Sequence, residues 1–235
     1  MTENDRSEAR YGIYFAPSTT SDLWLRGSAW LGRDAASGAP LDQPTVASIA
    51  PPDLARLTDD PRRYGLHATL KAPFHLRAGV VEQDLVASAH ELASTIAPFE
   101  MSPLSVQLLH GFLCLRPTAT STALHALAGQ CVAHFDPLRA GLTPSDRERR
   151  MRTRLSDRQI AHLNRWGYPF VFDEYRFHIT LTSRVNDADT LSSLLAFLTE
   201  YFGELPETPV DDFCLYRQPN RTQPFRIIER IPLIG

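Results

Sequence analysis

Two short stretches of the chain repeat one pattern, His-x-Thr-Leu, in which a threonine follows a histidine at a distance of two residues. The first stretch contains His67 and Thr69, and the second contains His178 and Thr180. A histidine side chain titrates near neutral pH, so it can act as a general acid or as a general base. A threonine hydroxyl can donate a hydrogen bond to a phosphate oxygen. The repeat therefore indicates an acid, a base and two phosphate ligands in one site.

The repeat is specific enough to favour chemistry over packing. The chain has 8 histidines in 235 residues. At that content, His-x-Thr-Leu is expected by chance roughly 0.07 times, whereas it occurs twice. A single copy would be interpreted more simply, as a half-buried strand histidine that is hydrogen-bonded to a neighbour. Two copies favour a catalytic pair.

Both motifs alternate between polar and apolar residues as a β-strand does, because successive side chains of a strand point to opposite faces. In the first motif, Lys71 should share the polar face with the histidine and the threonine. In the second, Arg176 should precede the histidine on that face. Positive charge stabilises the negative charge that builds up during phosphoryl transfer. We therefore predict Lys71 and Arg176 as further substrate-binding residues.

The two histidines suit in-line displacement at phosphorus, in which the entering and leaving oxygens lie on opposite sides of the phosphorus atom. His67 and His178 on two facing strands could activate water and protonate the leaving oxygen, and either could take either role. The sequence contains no His-x-His or His-Glu-x-x-His pattern, so we predict no metal. It also has no Walker A loop and no Gly-x-Gly-x-x-Gly loop, so we predict no cofactor.

The elements that must position these strands follow from hydrophobic periodicity along the chain. A group of strand, helix and strand occurs twice, with one histidine motif in each half. Most predicted strands have a close neighbour in sequence, which favours antiparallel pairing and an α+β class. The predicted strands cover 11–16, 66–71, 104–109, 111–115, 171–172, 176–182, 213–218 and 225–233, and the predicted helices cover 21–31, 82–96, 122–135 and 190–202.

The domain organisation predicted from the sequence is simple. Residues 1–9 are polar and form a disordered tail, and residues 10–235 form one domain. A charged stretch at about 137–165 is predicted as a helical insertion. It contains six arginines within twelve residues, namely Arg147, Arg149, Arg150, Arg152, Arg154 and Arg158. These arginines could cover a solvated helix face paired with neighbouring acids, or form a rim that holds a second phosphate of the substrate.

The composition indicates which binding partners and which cellular compartment to expect. The formal net charge is −3, so a nucleic-acid partner is not expected. The 3 cysteines are odd in number and include no C-x-x-C pair, which is typical of a reduced, cytoplasmic protein. No apolar run of about 18 residues is present, so no membrane span is expected. We predict no obligate protein partner.

The sequence also resembles the 2H phosphoesterase superfamily, which is named for two His-x-Ser/Thr motifs, and more closely its phosphonate-operon branch. The resemblance rests on residues 10–17, 27–34, 64–74, 165–171 and 177–182. It implies a bilobal α+β fold with two antiparallel sheets, related by a pseudo-two-fold axis around a central cleft, and with helices on the outside. It implies His67 and His178 as acid and base, Thr69 and Thr180 as phosphate ligands, and metal-independent cleavage of cyclic phosphodiesters.

For the phosphonate-operon branch, the resemblance implies 5-phosphoribosyl 1,2-cyclic phosphate as the substrate and ribose 1,5-bisphosphate as the product. One alternative is an RNA or nucleotide 2′,3′-cyclic phosphodiesterase, and another is a non-catalytic phosphate or nucleotide sensor on the same fold. The charged stretch departs from the general superfamily pattern and disfavours RNA. The complete pair of motifs disfavours a sensor, so the expected partner is a small phosphorylated sugar or a cyclic nucleotide.

Overall fold

The computed structural model describes residues 9–152 and 154–235. The tail predicted at 1–9 lies outside the described residues except for Ala9, which is buried rather than disordered. Within the described residues, seven strands form one antiparallel sheet and two short strands form another. The α+β class with two antiparallel sheets is therefore confirmed.

The strands and helices are numbered in chain order. The strands are β1 (Arg10–Phe15), β2 (Ala68–Phe74), β3 (Phe99–Met101), β4 (Leu104–Leu109), β5 (Phe112–Pro117), β6 (Ile179–Thr180), β7 (Thr208–Val210), β8 (Asp212–Gln218) and β9 (Arg226–Pro232). The helices are α1 (Asp22–Leu31), α2 (Pro51–Leu57), α3 (Asp59–Tyr64), α4 (Glu82–Ala93), α5 (Thr122–His134), α6 (Pro144–Arg150), α7 (Asp157–Trp166) and α8 (Ala188–Phe202).

The two sheets are unequal, and both motif strands belong to the larger one. Its strand order is β4-β5-β6-β2-β1-β8-β9, while β3 pairs with β7 alone. The first motif leads into β2 and the second into β6, so the two motifs lie side by side at the centre of one sheet. The sequence resemblance implied sheets related around a cleft. In the structure the histidine strands meet within the seven-stranded sheet.

The second motif forms much less strand than its alternation predicts. Only Ile179–Thr180 pair as a strand, where 176–182 was predicted. The strand predicted at 171–172 is replaced by a 3-10 turn at Phe172–Glu174. Phe172 has a φ of 54°, a left-handed conformation that is incompatible with an extended ladder. The approach to His178 is therefore a loop.

The first motif strand extends further than predicted, through Pro73 to Phe74. Proline lacks a backbone N–H and is tolerated where no neighbouring strand needs that donor. On one side, β2 pairs with β6 only at Ala68, opposite Ile179. Among the described residues, no strand pairs with the later part of β2 on that side, and this explains why Pro73 does not end the strand.

Two helices with apolar stripes cover the core face of the sheet. In α4, Leu85, Ala89 and Leu92 are buried at helical spacing, as predicted. In α5, Leu124 and Leu127 are buried in the same way. Complete burial of such a leucine contributes roughly 1.5–3 kcal/mol relative to exposure.

Helix α1 contacts both histidine motifs. At Gly27 an added Cβ would lie 2.5 Å from the Cδ1 atom of Leu66, so the glycine lets the helix pack directly against the residue that precedes His67. The indole Nε1 of Trp30 donates a 2.8 Å hydrogen bond to the carbonyl oxygen of Leu181 in the second motif. One helix therefore fixes both motifs.

Candidate active site

His67 lies directly before β2, with its ring half-buried. Its Nδ1 is 2.9 Å from the carbonyl oxygen of Gly65. A carbonyl can only accept, so Nδ1 carries the hydrogen and the Nε2 of the neutral ring keeps its lone pair. Gly65 has a φ of 82°, which favours glycine, and a Cβ there would collide with Ala35. The backbone turn before the histidine thus sets its tautomer.

His178 is held in the same way by the second motif. Its Nδ1 is 2.7 Å from the carbonyl oxygen of Arg176, again two residues earlier in the chain. The same reasoning places the hydrogen on Nδ1 and leaves Nε2 free for proton transfer. The Phe112 ring lies 5.6 Å from the His178 ring, between centroids. The two motifs present equivalent nitrogen atoms.

The strand register brings the four motif residues together. Ala68 pairs with Ile179 in an antiparallel ladder. Continuing this register by one residue in each direction places His67 opposite Thr180 and Thr69 opposite His178. Directly opposed residues have Cβ atoms about 4.5–5.5 Å apart and point to the same face. Each histidine therefore lies between its own threonine and the threonine of the other motif.

Burial keeps the histidines neutral in the free protein. The pKa of His67 is lowered to about 4, chiefly by burial and also by the charge of nearby His178, while the hydrogen bond to the Gly65 carbonyl opposes the shift. The pKa of His178 is also lowered, first by burial, with the Arg176 carbonyl opposing and Arg116 adding to the effect. A bound phosphate would oppose these shifts, because a negative charge favours the protonated ring.

Aromatic rings surround His67 on the β1 side. The Tyr14 ring lies 4.1 Å from the His67 ring, Tyr64 lies 5.7 Å away and Tyr216 lies 6.1 Å away, all between centroids. Tyr14 belongs to β1. It is completely buried, with its ring against the histidine.

Lys71 does not share the polar face predicted for it. Thr69 pairs with Tyr14 of β1, whereas Lys71 pairs with Ile13, so the register shifts by one residue between them. This irregularity turns Lys71 to the opposite face. Its buried ammonium donates a 2.8 Å hydrogen bond to the carbonyl oxygen of Val132, and burial lowers the pKa of Lys71 to about 8.

Arg176 is also placed differently from the prediction. The side chain is exposed, and its Nη1 donates hydrogen bonds to the carbonyl oxygens of Asp173 at 2.8 Å and Tyr175 at 2.7 Å. These bonds hold the guanidinium on its own loop. The motif contributes the backbone carbonyl of Arg176 to His178, and the charged group is bonded elsewhere.

The sequence interpretation missed Arg116, a cation next to His178. In β5, Cys114 pairs with Thr180 and Leu115 with Ile179, and continuing that register places Arg116 opposite His178. Its Nη1 donates a 3.2 Å hydrogen bond to Gln107 Oε1. Its Nε has no hydrogen-bond partner among residues 9–152 and 154–235. The strand alternation of β5 exposes this arginine to the site, but no motif spacing links it to the second histidine.

The charged stretch forms two helices, α6 and α7. Arg149 pairs with Asp146 at 2.8 Å, and Arg158 pairs with Asp173 at 2.6 Å. Arg152 and Arg154 are exposed. Arg150 is different, because it packs over the Tyr168 ring at 4.9 Å without an acidic partner in the described chain. Arg147 also has a buried Nη1 without a hydrogen-bond partner in the described chain. The six arginines therefore include surface ion pairs, exposed side chains and buried groups.

The described part of the chain holds no group of three or more His, Cys, Asp or Glu side chains that could bind a metal ion. Metal independence stays a prediction. No helix in the described ranges has the length and apolar character needed to cross a membrane.

A family model described as "Protein of unknown function (DUF1045)" matches residues 69–226. Two curated relatives carry the name ribose 1,5-bisphosphate phosphokinase PhnN. The relative from Janthinobacterium sp. (strain Marseille) is 37% identical over 237 residues, covering 99% of this chain and 52% of the relative. The relative from Laribacter hongkongensis (strain HLHK9) is 37% identical over 225 residues, covering 96% of this chain and 52% of the relative. The chain spans about half the length of these relatives.

A solved structure described as a phosphoesterase aligns over 96% of this chain and 99% of its own, with a TM-score of 0.45 and 14% identity.

Proposed function

The chain belongs to the DUF1045 family, and we propose that it is a 2H-type cyclic phosphodiesterase that converts 5-phosphoribosyl 1,2-cyclic phosphate to ribose 1,5-bisphosphate in phosphonate catabolism. The observation that carries the proposal is the antiparallel register between the motifs. It sets each histidine opposite the threonine of the other motif. A cyclic phosphate held there would have a proton-transfer group on either side.

The reaction needs one water molecule and two proton transfers. The water oxygen forms a bond to phosphorus, and the bond between phosphorus and the sugar 2-oxygen breaks. One histidine Nε2 takes a proton from the water, and the other gives a proton to the departing 2-oxygen. The phosphate remains on the 1-oxygen, and the product is a sugar bisphosphate.

We give the two histidines separate roles. Burial lowers the pKa of His67 to about 4, so its ring is neutral near neutral pH. We assign it as the base that activates water. His178 then carries the proton for the leaving oxygen once the negatively charged substrate raises its pKa.

Three donors can hold the phosphate oxygens in this proposal. Thr69 and Thr180 share the polar face with the histidines through the β2–β6 register. Arg116 supplies the positive charge that we predicted for Lys71 and Arg176. The free Nε–H of Arg116 can donate to a phosphoryl oxygen, and such a charge-assisted bond is stronger than a neutral one.

The names of the relatives support the identity of the product. Ribose 1,5-bisphosphate, which those names contain, is the product of the proposed hydrolysis. This chain contains no Walker A loop, and its only lysine is Lys71, which is bonded to a backbone carbonyl. We infer that this chain, which matches about half of each relative, performs a hydrolysis that supplies ribose 1,5-bisphosphate. It does not perform the phosphorylation that the relatives' names describe.

The test is a product assay with the purified protein. Phosphorus NMR should show 5-phosphoribosyl 1,2-cyclic phosphate converted to ribose 1,5-bisphosphate, with slower turnover of a 2′,3′-cyclic nucleotide. EDTA should leave the rate unchanged. Faster turnover of the nucleotide would favour the RNA-type alternative, and turnover of neither compound would contradict the proposal.

A further inference from the structure

A cluster of arginines lies beside the histidine site. Arg10 of β1 and Arg149 and Arg150 of α6 line one cavity next to β2. Arg221 joins them through Asp146, which accepts hydrogen bonds from Arg149 at 2.8 Å and from Arg221 at 2.6 Å. Two of these four guanidinium groups, those of Arg149 and Arg221, share the single carboxylate of Asp146.

The positive charge of the cluster is not balanced inside the described chain. Asp146 is shared by Arg149 and Arg221, so Arg10 and Arg150 remain without an acid. Arg10 donates instead to the neutral Oε1 of buried Gln218 at 2.8 Å. Buried cations are normally paired, because desolvation without a counter-charge is costly.

Arg150 has the weakest set of partners in the cluster. Its Nη2 lies 3.4 Å from the carbonyl oxygen of Pro73, and its Nε has no partner in the described ranges. Burial lowers the pKa of Arg150 and also that of Arg10. A guanidinium stays protonated under ordinary conditions, so both positive charges persist.

A buried hydroxyl completes this group. Tyr14 is 0% exposed, and its hydroxyl has no hydrogen-bond partner among the residues described. An added Cβ at Gly12 would lie 2.6 Å from that oxygen, so the hydroxyl lies over Gly12, one alternation from Arg10 on the same face of β1. The ring of the same tyrosine contacts the His67 ring. The cluster therefore lies one tyrosine side chain away from the proposed base.

We propose that Arg10, Arg150 and the Tyr14 hydroxyl form a second anion site, which binds a terminal phosphate monoester of the substrate. This rests on the proposed function and restricts its substrates to cyclic phosphodiesters that carry a second, remote phosphate. A phosphate monoester supplies the missing negative charge and accepts bidentate bonds from guanidinium groups. Within the arginine-rich stretch Arg149 and Arg150 line the cavity. Arg149 is already paired with Asp146, so we assign this role to Arg150.

The direct test is calorimetric binding of ribose 5-phosphate, with ribose as the comparison, to the intact protein. Ribose 5-phosphate carries the terminal phosphate without the cyclic ester. Arg150→Gln should weaken its binding about 10- to 100-fold, the usual range for a lost charged hydrogen bond. Arg152→Gln removes the same charge from an exposed position nearby, and it should change binding less than about twofold.

A second variant guards against misfolding of Arg150→Gln. Tyr14→Phe removes only the unpartnered hydroxyl, so it should keep or raise the melting temperature while weakening ribose 5-phosphate binding about tenfold. Equal affinity for ribose and ribose 5-phosphate would overturn the site. So would wild-type affinity for ribose 5-phosphate in Tyr14→Phe. Equal losses of that affinity in Arg152→Gln and Arg150→Gln would also overturn it. These outcomes do not depend on turnover. A protein that hydrolyses no cyclic phosphate but shows the predicted binding losses would refute the proposed function alone.

Discussion

At the scale of single residues, the two histidines are oriented by the same kind of hydrogen bond. In each motif the carbonyl two residues earlier accepts the Nδ1 hydrogen, at 2.9 Å for His67 and 2.7 Å for His178. Only Nε2 of each ring is left for proton transfer, and in His67 the Thr69 hydroxyl lies 3.4 Å from it. Burial lowers the pKa of both rings, and in the proposed mechanism His67 acts as the base and His178 as the acid.

The pH dependence follows from those pKa directions. The base must be neutral, so kcat/KM should fall as the pH drops through about 4, the pKa of His67 in the free protein. The acid must be protonated, so kcat/KM should fall again as the pH rises through the lowered pKa of His178. In the complex the substrate charge should move both limbs of the kcat profile to higher pH. If the limbs of the kcat profile lay at lower pH than those of the kcat/KM profile, this account would be contradicted.

Arg116 should matter to the chemical step, although no motif contains it. Arg116→Gln removes the cation opposite His178 and should lower kcat roughly 10²-fold, as loss of a transition-state donor does. The same change should raise the pKa of His178, which Arg116 lowers, and should move the alkaline limb of kcat/KM to higher pH. A matched variant, Arg176→Gln, should change kcat little, because that guanidinium is exposed and bonded to backbone carbonyls. Equal losses in both variants would count against a specific role for Arg116.

At the scale of elements, helix α1 contacts both histidine motifs and holds them in place. Gly27 packs against Leu66, and Trp30 bonds to Leu181. Leu66 is 0% exposed, so it has little freedom to move away from a larger neighbour.

Gly27→Ala should therefore disturb the start of β2 and displace His67. Overpacking of this kind costs about 1–3 kcal/mol of unfolding free energy, and kcat should fall as well. Ser28→Ala is the matched control, because it changes the next position of the same helix and removes a buried hydroxyl that has no partner in the described residues. Denaturant unfolding and kcat measured on both variants check the prediction. Unchanged stability and kcat in Gly27→Ala would show that the close packing is unimportant.

Strand alternation predicts that each histidine shares a face with its threonine, because a period of two needs no knowledge of the neighbouring strand. It fails for Lys71, because the register shift between Ile13 and Tyr14 arises from pairing with β1. It also cannot find Arg116, which reaches His178 only through the pairing of β5 with β6. Cross-strand register depends on tertiary contacts, and local sequence does not encode it.

At the scale of the whole molecule, the chain places two distant segments at the centre of one sheet. The β4–β5 hairpin and β6 form one side, and β2, β1, β8 and β9 form the other. The histidines lie where these sides meet, and the arginine cluster lies beside them across Tyr14. The sequence predicts the α+β class and the pair of motifs, but not that both motif strands are neighbours in the same sheet.

The most direct test of the central claim is the turnover of His67→Ala and His178→Ala on 5-phosphoribosyl 1,2-cyclic phosphate, with far-UV circular dichroism to confirm folding. If the histidines are base and acid, each single variant should lose about 10²–10⁴-fold in kcat, the usual worth of a positioned proton-transfer group. The double variant should lose less than the product of the two single losses, because the residues act in one step. A folded single variant that keeps near-wild-type turnover would contradict the two-histidine mechanism.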